Sequence, residues 1–264
     1  MPPIHDEAVC LRHWEWSETS QTALLLSRGH GLVRVLAKGS RRPKASFSGG
    51  LEVLTVGAMQ AILKPDGALA LLTVWELRQP MLHLRTSLAS WQHAQIAGEI
   101  AARMLSEQDP HPSVYDALVL LLSSLDSTRN TSASLLCFVW TTLCDCGYEL
   151  ELIHDVQTGA ELDRADRYGF APNLGGLTTD PGPDSASAFD QRNPIWRVRG
   201  ETVSILQRLR GPKTTGNDGA IFASPNEATR NDLTPSFQRA LKLLLSYIQY
   251  LIGFELVSAR QTLL

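Results

Sequence analysis

Long apolar runs are missing from this chain of 264 residues. The run Ala117-Leu118-Val119-Leu120-Leu121-Leu122 stops at Ser123-Ser124, far short of the ~18–20 residues that cross a bilayer. The start, Met1-Pro2-Pro3-Ile4-His5-Asp6-Glu7, has neither a basic stretch nor an apolar one, so no secretory signal is expected. Cysteine is scarce, with 4 residues. Three of them, Cys137, Cys144 and Cys146, share one apolar segment away from Cys10, which is no disulfide framework. Free thiols in a reducing, cytoplasmic compartment are expected. Cys144-Asp145-Cys146 is not read as a metal pair, because residues two apart on a helix do not face each other.

The motifs of catalysis are absent too. No Gly-x-x-x-x-Gly-Lys-Ser/Thr loop occurs, and Gly29-x-Gly31 leads into a strand pattern rather than a helix. Ser48-Gly49 lacks the preceding glycine of a nucleophile elbow. The 7 histidines are scattered, without acid–base or metal-ligand spacing. Nothing here predicts an enzyme, a cofactor or a metal site.

The most informative scarcity is local. The chain carries a formal net charge of -3, yet no Asp or Glu falls between Glu18 and Glu52. Inside that gap stand Arg28, Arg34, Lys38, Arg41, Arg42 and Lys44. A cationic strip on an acidic chain reads as a docking surface for a polyanion, since phosphates neutralised by Lys and Arg release condensed counterions. Gly29, Gly31 and Gly39 are expected to let the backbone approach a ligand closely. Phe47, just past the strip, is the expected base-stacking ring; Trp14, Trp16 and Trp75 are weaker choices, with Trp75 expected in the core.

The first 80 residues read as β. Short apolar runs at residues 8–11, 23–26, 31–39, 51–56 and 68–74 are separated by Ser27-Arg28-Gly29, Ser48-Gly49-Gly50 and Lys64-Pro65-Asp66-Gly67. Five strands so punctuated suggest a small barrel, with the OB-fold the natural candidate. Beyond residue 80 the spacing turns helical. Leu88, Trp91, Ile96, Ile100 and Met104 mark one amphipathic helix, and Val114 to Leu125, capped by Ser113, a second. Further helices are expected at 132–146, 201–209 and, after an N-cap at Thr234, from Phe237 to Phe254. Residues 151–195 look irregular and loop-rich, and 211–235 like a polar excursion. The fold class expected is α+β: a barrel domain over 1–80, then a helical domain over 81–264 with an insertion at 151–195.

Val9-Cys10-Leu11-Arg12, Gly29-His30-Gly31-Leu32, Val35-Leu36-Ala37-Lys38-Gly39-Ser40-Arg41-Arg42-Pro43-Lys44, Leu51-Glu52-Val53-Leu54, Gly147-Tyr148 and Ser258-Ala259-Arg260 stand in the order of a known pattern. By these residues the chain resembles the RecO family of bacterial recombination mediators, most densely at its start. The resemblance implies an OB-fold and a helical domain. It also implies a nucleoid-associated role in binding single- and double-stranded DNA and annealing strands. RecR and the acidic C-terminal tail of single-stranded DNA-binding protein are the implied partners. Arg85, Arg103 and Arg129 are the basic residues in 81–150 that could meet that tail, with no choice among them. The family pattern further implies a zinc-binding insertion built on two Cys-x-x-Cys pairs. Here Asp155, Thr158, Thr179 and Gly182 stand at the matching places, and four such residues cannot supply a tetrahedral zinc site. No zinc is expected. An RNA-binding or ribosome-associated OB protein, and a scaffold whose strip meets an acidic protein, remain alternatives.

Overall fold

The structure is a computed structural model and describes residues 2–42, 47, 51–64, 68–125, 131–183, 193–210 and 234–260. Five strands, β1 (Ile4–Ser17), β2 (Ser20–Ser27), β3 (Gly31–Ala37), β4 (Val56–Ile62) and β5 (Ala70–Gln79), close into a barrel in the order β1-β2-β3-β5-β4. Only the β3–β5 pairing is parallel. This is the OB arrangement, and with the helices that follow it gives an α+β protein. The barrel core is filled by alternating inward side chains, among them Cys10, Leu25, Val33, Val35, Met59, Leu72 and Trp75.

The fourth strand differs from the sequence reading. Leu51 and Leu54 are buried, but as plugs of a loop, not as strand residues. Leu54 has φ 62°, which an extended strand cannot accommodate. The true strand, Val56–Ile62, contains Gly57 because nothing larger fits there: a Cβ would lie 2.6 Å from the Trp75 ring.

A short 3-10 helix (Leu82–Thr86) leads into α1 (Leu88–Met104), followed by α2 (Pro112–Ser124). The Ser87 side chain caps α1 by accepting from the Ser90 N–H. Ser113 is not the cap of α2. His111 holds that position, and Pro112 takes the first turn, where its missing N–H costs nothing. Barrel, α1 and α2 belong to one compact unit, residues 1–134 with 256–260. Within it, buried Glu99 of α1 ties down the returning segment, accepting from the Val257 and Ser258 N–H groups and the Ser258 hydroxyl.

The second unit, residues 135–255 with 261–264, holds most of α3 (Thr131–Asp145), then β6 (Arg167–Ala171), β7 (Gly176–Thr178), β8 (Trp196–Arg199), α4 (Gly200–Arg210) and α5 (Thr234–Ile252). The stretch 151–195 is therefore more regular than its composition suggested. It supplies two strands of an antiparallel sheet of order β7-β6-β8. Phe170 stacks on Trp196 at 5.7 Å and meets Tyr247 of α5 edge-on at 5.3 Å, which fixes the sheet against the last helix. Residues 211–233 of the expected polar excursion lie outside the described residues.

Among the described residues no helix is long and apolar enough to cross a membrane. All four cysteines are free thiols, and burial, with the charge of Glu52, pushes the Cys10 thiol up to about 12.

Candidate nucleic-acid interface

The basic strip runs along β3 and the turn after it. On β3 the inward positions Val33, Val35 and Ala37 fill the barrel, while Arg34, Leu36 and then Lys38 face outward. The turn is held by backbone bonds from Arg42 N to Gly39 O (3.0 Å) and Arg41 N to Thr19 O (3.2 Å). A buried side chain organises the loop beyond it. Gln21 of β2 accepts from the Ser40 hydroxyl (3.1 Å) and the Leu51 N–H (3.1 Å), and donates to Leu51 O (3.4 Å). Gln21 thus clamps both ends of the basic loop, a role its sequence position does not signal.

The cations are less free than the sequence implied. Arg28 makes a two-pronged bond to Asp116 of α2, at 2.8 and 2.9 Å. Arg34 pairs with Glu107 at 2.8 Å and Arg41 with Glu15 at 2.5 Å. The Asp6 carboxylate lies 2.8 Å from the His30 ring and accepts from Ser27 and from Gly29 N. Burial alone would raise the Asp6 pKa; these hydrogen bonds outweigh it and hold the group below the usual carboxylate range. The carboxylates missing from the local sequence thus arrive from elsewhere in the chain. Among the described residues, exposed Lys38 and Arg42 have no ion pair with a carboxylate. Lys44 lies outside the described residues.

Two further expectations are corrected. Phe47 is 5% exposed and belongs to the barrel core, so its ring is closed to a base. Gly31 is required by the protein itself: at φ +65° a Cβ would sit 2.0 Å from the Asp109 carbonyl oxygen. Gly29 likewise faces the Asp6 carboxylate and Gly39 the Arg42 side chain, so none of the three lies open beneath a ligand.

On the barrel, the rings that reach solvent are Trp14 and Trp16. Their direction is set by an irregularity in β1. Cys10 opposes Leu25 of β2, but the next partner of Leu24 is Arg12, so Leu11 is an extra residue in the ladder. Such a bulge reverses the inside–outside phase. Without it, alternation would carry Arg12 and Trp14 inward with Cys10; with it, both face outward. Directly opposed residues share a sheet face. The outer surface of the barrel therefore presents the rows Arg12-Leu24-Arg34 and Trp14-Thr22-Leu36 across β1, β2 and β3.

The basic residues of the first helical stretch are also engaged. Arg85 pairs with Glu52, and Arg103 donates to Glu99 at 2.9 Å. Arg129 is outside the described residues.

In the second unit, the places of the Cys-x-x-Cys pairs are occupied by a carboxylate network. Asp155 is 3% exposed. Its Oδ1 accepts from Gln157 N (2.8 Å) and Thr158 N (3.1 Å), and its Oδ2 from the Thr178 hydroxyl (3.0 Å) and Thr179 N (3.0 Å). Asp180 accepts from Gly182 N and forms a bidentate pair with Arg197 at 2.8 and 2.7 Å. With its acceptor sites taken, Asp155 has no lone pair to offer a cation. These residues do not fit a zinc ion, and no group of three or more His, Cys, Asp or Glu among the described residues could hold a metal.

Residues 1–81 match the family model for the N terminal of recombination protein O, and residues 85–260 match that for its C terminal. A protein of Geobacter sulfurreducens named DNA repair protein RecO is 30% identical over 227 residues, 85% of this chain and 86% of that relative. The like-named protein of Anaeromyxobacter is 25% identical over 231 residues, 88% of each. That of Rhodopirellula baltica is 30% identical over 169 residues, and the match spans 63% of its length. By the extent of these matches, the chain belongs to the RecO family.

Proposed function

We propose that this chain is a DNA-repair mediator that binds DNA on the outer face of its barrel and promotes annealing without catalysing a covalent step. The observation that carries the reading is the outward row of cations around β3: exposed Lys38 and Arg42, with Arg34, Arg41 and Arg28 held only in half-exposed ion pairs. Pairs so exposed are weak, so a phosphodiester can take over from the carboxylates at little cost. Cations along one face screen the repulsion between two strands, and base pairing then supplies the free energy of annealing. In this reading residues 1–80 are the DNA-binding domain, Lys44 joins the strip, and residues 81–264 receive partners. RecR and the tail of single-stranded DNA-binding protein are the partners that family membership suggests.

The test is annealing of two complementary oligonucleotides, followed by fluorescence, with the wild type and a Lys38→Ala/Arg41→Ala/Arg42→Ala variant. The reading expects faster annealing with the wild type and loss of the acceleration in the folded variant. Equal rates with both would remove the strip from the function.

A further inference from the structure

The bulged end of β1 does more than expose two indoles. Arg12, His13 and Trp14 form one wall of a groove of about 790 Å³. The facing wall is Arg85, Leu88 and Trp91, from the 3-10 helix and the first turn of α1. All of these residues lie within the first compact unit. The groove is of the size that takes ligand-like groups.

Its floor is core, with Leu11 and Leu84 buried, but its rim reaches solvent. Trp14 is 50% exposed and Leu88 is 74% exposed. Leu88 and Trp91 keep the helical spacing of core residues, yet the buried face of α1 is made of Ala94, Ile96, Ala97, Ile100 and Ala101 instead. Leu88, which fits the pattern of a core, is thus left at a surface and Trp91 is only half-buried, opposite an outward indole and an outward guanidinium.

Two observations identify the occupant. The groove offers indole and guanidinium planes, which take the π-faces of bases irrespective of sequence. It is also continuous with the proposed DNA-binding face: Arg12 heads the row Arg12-Leu24-Arg34, and Trp14 heads Trp14-Thr22-Leu36, two residues before Lys38. A phosphodiester chain following Lys38 and Arg34 across the strands reaches Arg12 and brings its bases to Trp14 and Trp91. A duplex keeps its bases stacked on one another and has no free face to give.

We propose that the groove between the bulged end of β1 and the start of α1 is a base-stacking site for single-stranded DNA, with Trp14 and Trp91 as platforms and Arg12 as the phosphate contact. The proposal rests on the DNA-binding reading above and adds strand selectivity to it.

The experiment compares Kd values of the full chain for three probes: a mixed-sequence single strand, a strand of the same length with abasic sites throughout, and a duplex. Trp14→Ala should weaken single-strand binding roughly 5- to 150-fold, the range for losing one stacked base, and leave the abasic and duplex affinities unchanged. Trp14→Phe should restore most of the loss, since a ring remains. Unchanged single-strand affinity in Trp14→Ala, or an equal loss for all three probes, overturns the stacking site. A Lys38→Ala/Arg42→Ala variant, expected to lose affinity for every probe, separates the two ideas. If it loses affinity while Trp14→Ala does not, the DNA-binding reading stands without this groove. If the wild type binds none of the probes, both fall. Capture of an acidic, aromatic-ended peptide by the groove, with no effect of Trp14→Ala on DNA, would assign it to a protein partner and overturn the proposal.

Discussion

The Asp155 carboxylate accepts a 3.0 Å hydrogen bond from the backbone N–H of Thr179, 24 residues along the chain. Two loops that a shared metal ion could have clasped are here clasped by one anion. Burial alone would raise the Asp155 pKa. The N–H groups of Gln157, Thr179 and Thr158 and the Thr178 hydroxyl outweigh that and hold it below the ordinary carboxylate value.

Asp155→Ala is therefore expected to lower the stability of the second unit by at least ~2 kcal/mol, because buried donors lose a charged acceptor. A chelator should leave the wild-type melting temperature unchanged. The sign with pH follows from the depressed folded-state value. The contribution of Asp155 is fully present above its unfolded pKa, ~3.9, and is lost as pH falls through the folded one. Thermal melts of wild type and variant from neutral to acid pH check this: the difference between them should shrink toward the acid end.

Gln21 makes a second prediction. Its amide is the only side chain among the described residues bonded to both Ser40 and Leu51. Gln21→Leu strands the Leu51 N–H and the Ser40 hydroxyl, with an expected destabilisation of ~1–3 kcal/mol. The basic turn should loosen with it. Amide hydrogen exchange should rise around residues 38–42, and DNA affinity should fall although no cation has been removed.

The carboxylates that meet the strip supply a third. If Arg34 and Arg41 exchange Glu107 and Glu15 for phosphates, those acids compete with DNA. Glu107→Gln and Glu15→Gln should each tighten oligonucleotide binding and leave thermal stability within ~0.5 kcal/mol, as for most surface changes. Weaker binding would show that the pairs hold the arginines in place for DNA instead of competing with it.

Gly57→Ala is the fourth. The added methyl would lie 2.6 Å from the Trp75 ring and 2.9 Å from the Glu76 carbonyl oxygen, so β4 and β5 must part. Over-packing of this kind costs ~1–3 kcal/mol. Chemical denaturation should show that loss, with DNA affinity of the folded fraction preserved.

The barrel was legible because its strands alternate cleanly and its turns are spelled in glycine, and the helices because their apolar spacing is regular. The errors have physical sources. Leu51-Glu52-Val53-Leu54 has strand composition, but Leu51 and Leu54 seal the barrel from a loop. β7 has 3 residues, too few to show a period. At the site, the cationic strip could be read directly, whereas its neutralisation could not. Asp116 reaches Arg28 across 88 residues of sequence, a pairing that only the fold creates. The exposure of Phe47 and Trp14 was hidden for similar reasons. Phe47 folds back into the core, and the extra residue at Leu11 turns Trp14 outward. The bulge is invisible in composition and decides which aromatic ring meets solvent.

The most direct measurement of the central claim is the salt dependence of single-strand binding. Each phosphate neutralised contributes about -0.7 to the slope of log K against log salt. Contacts by Lys38, Arg42 and Arg12 alone predict a slope near -2, and recruitment of the paired arginines and Lys44 steepens it toward -4 or beyond. The account predicts a value in that range, flattened by Lys38→Ala/Arg42→Ala. A slope near zero, or one that the double variant leaves untouched, would contradict it.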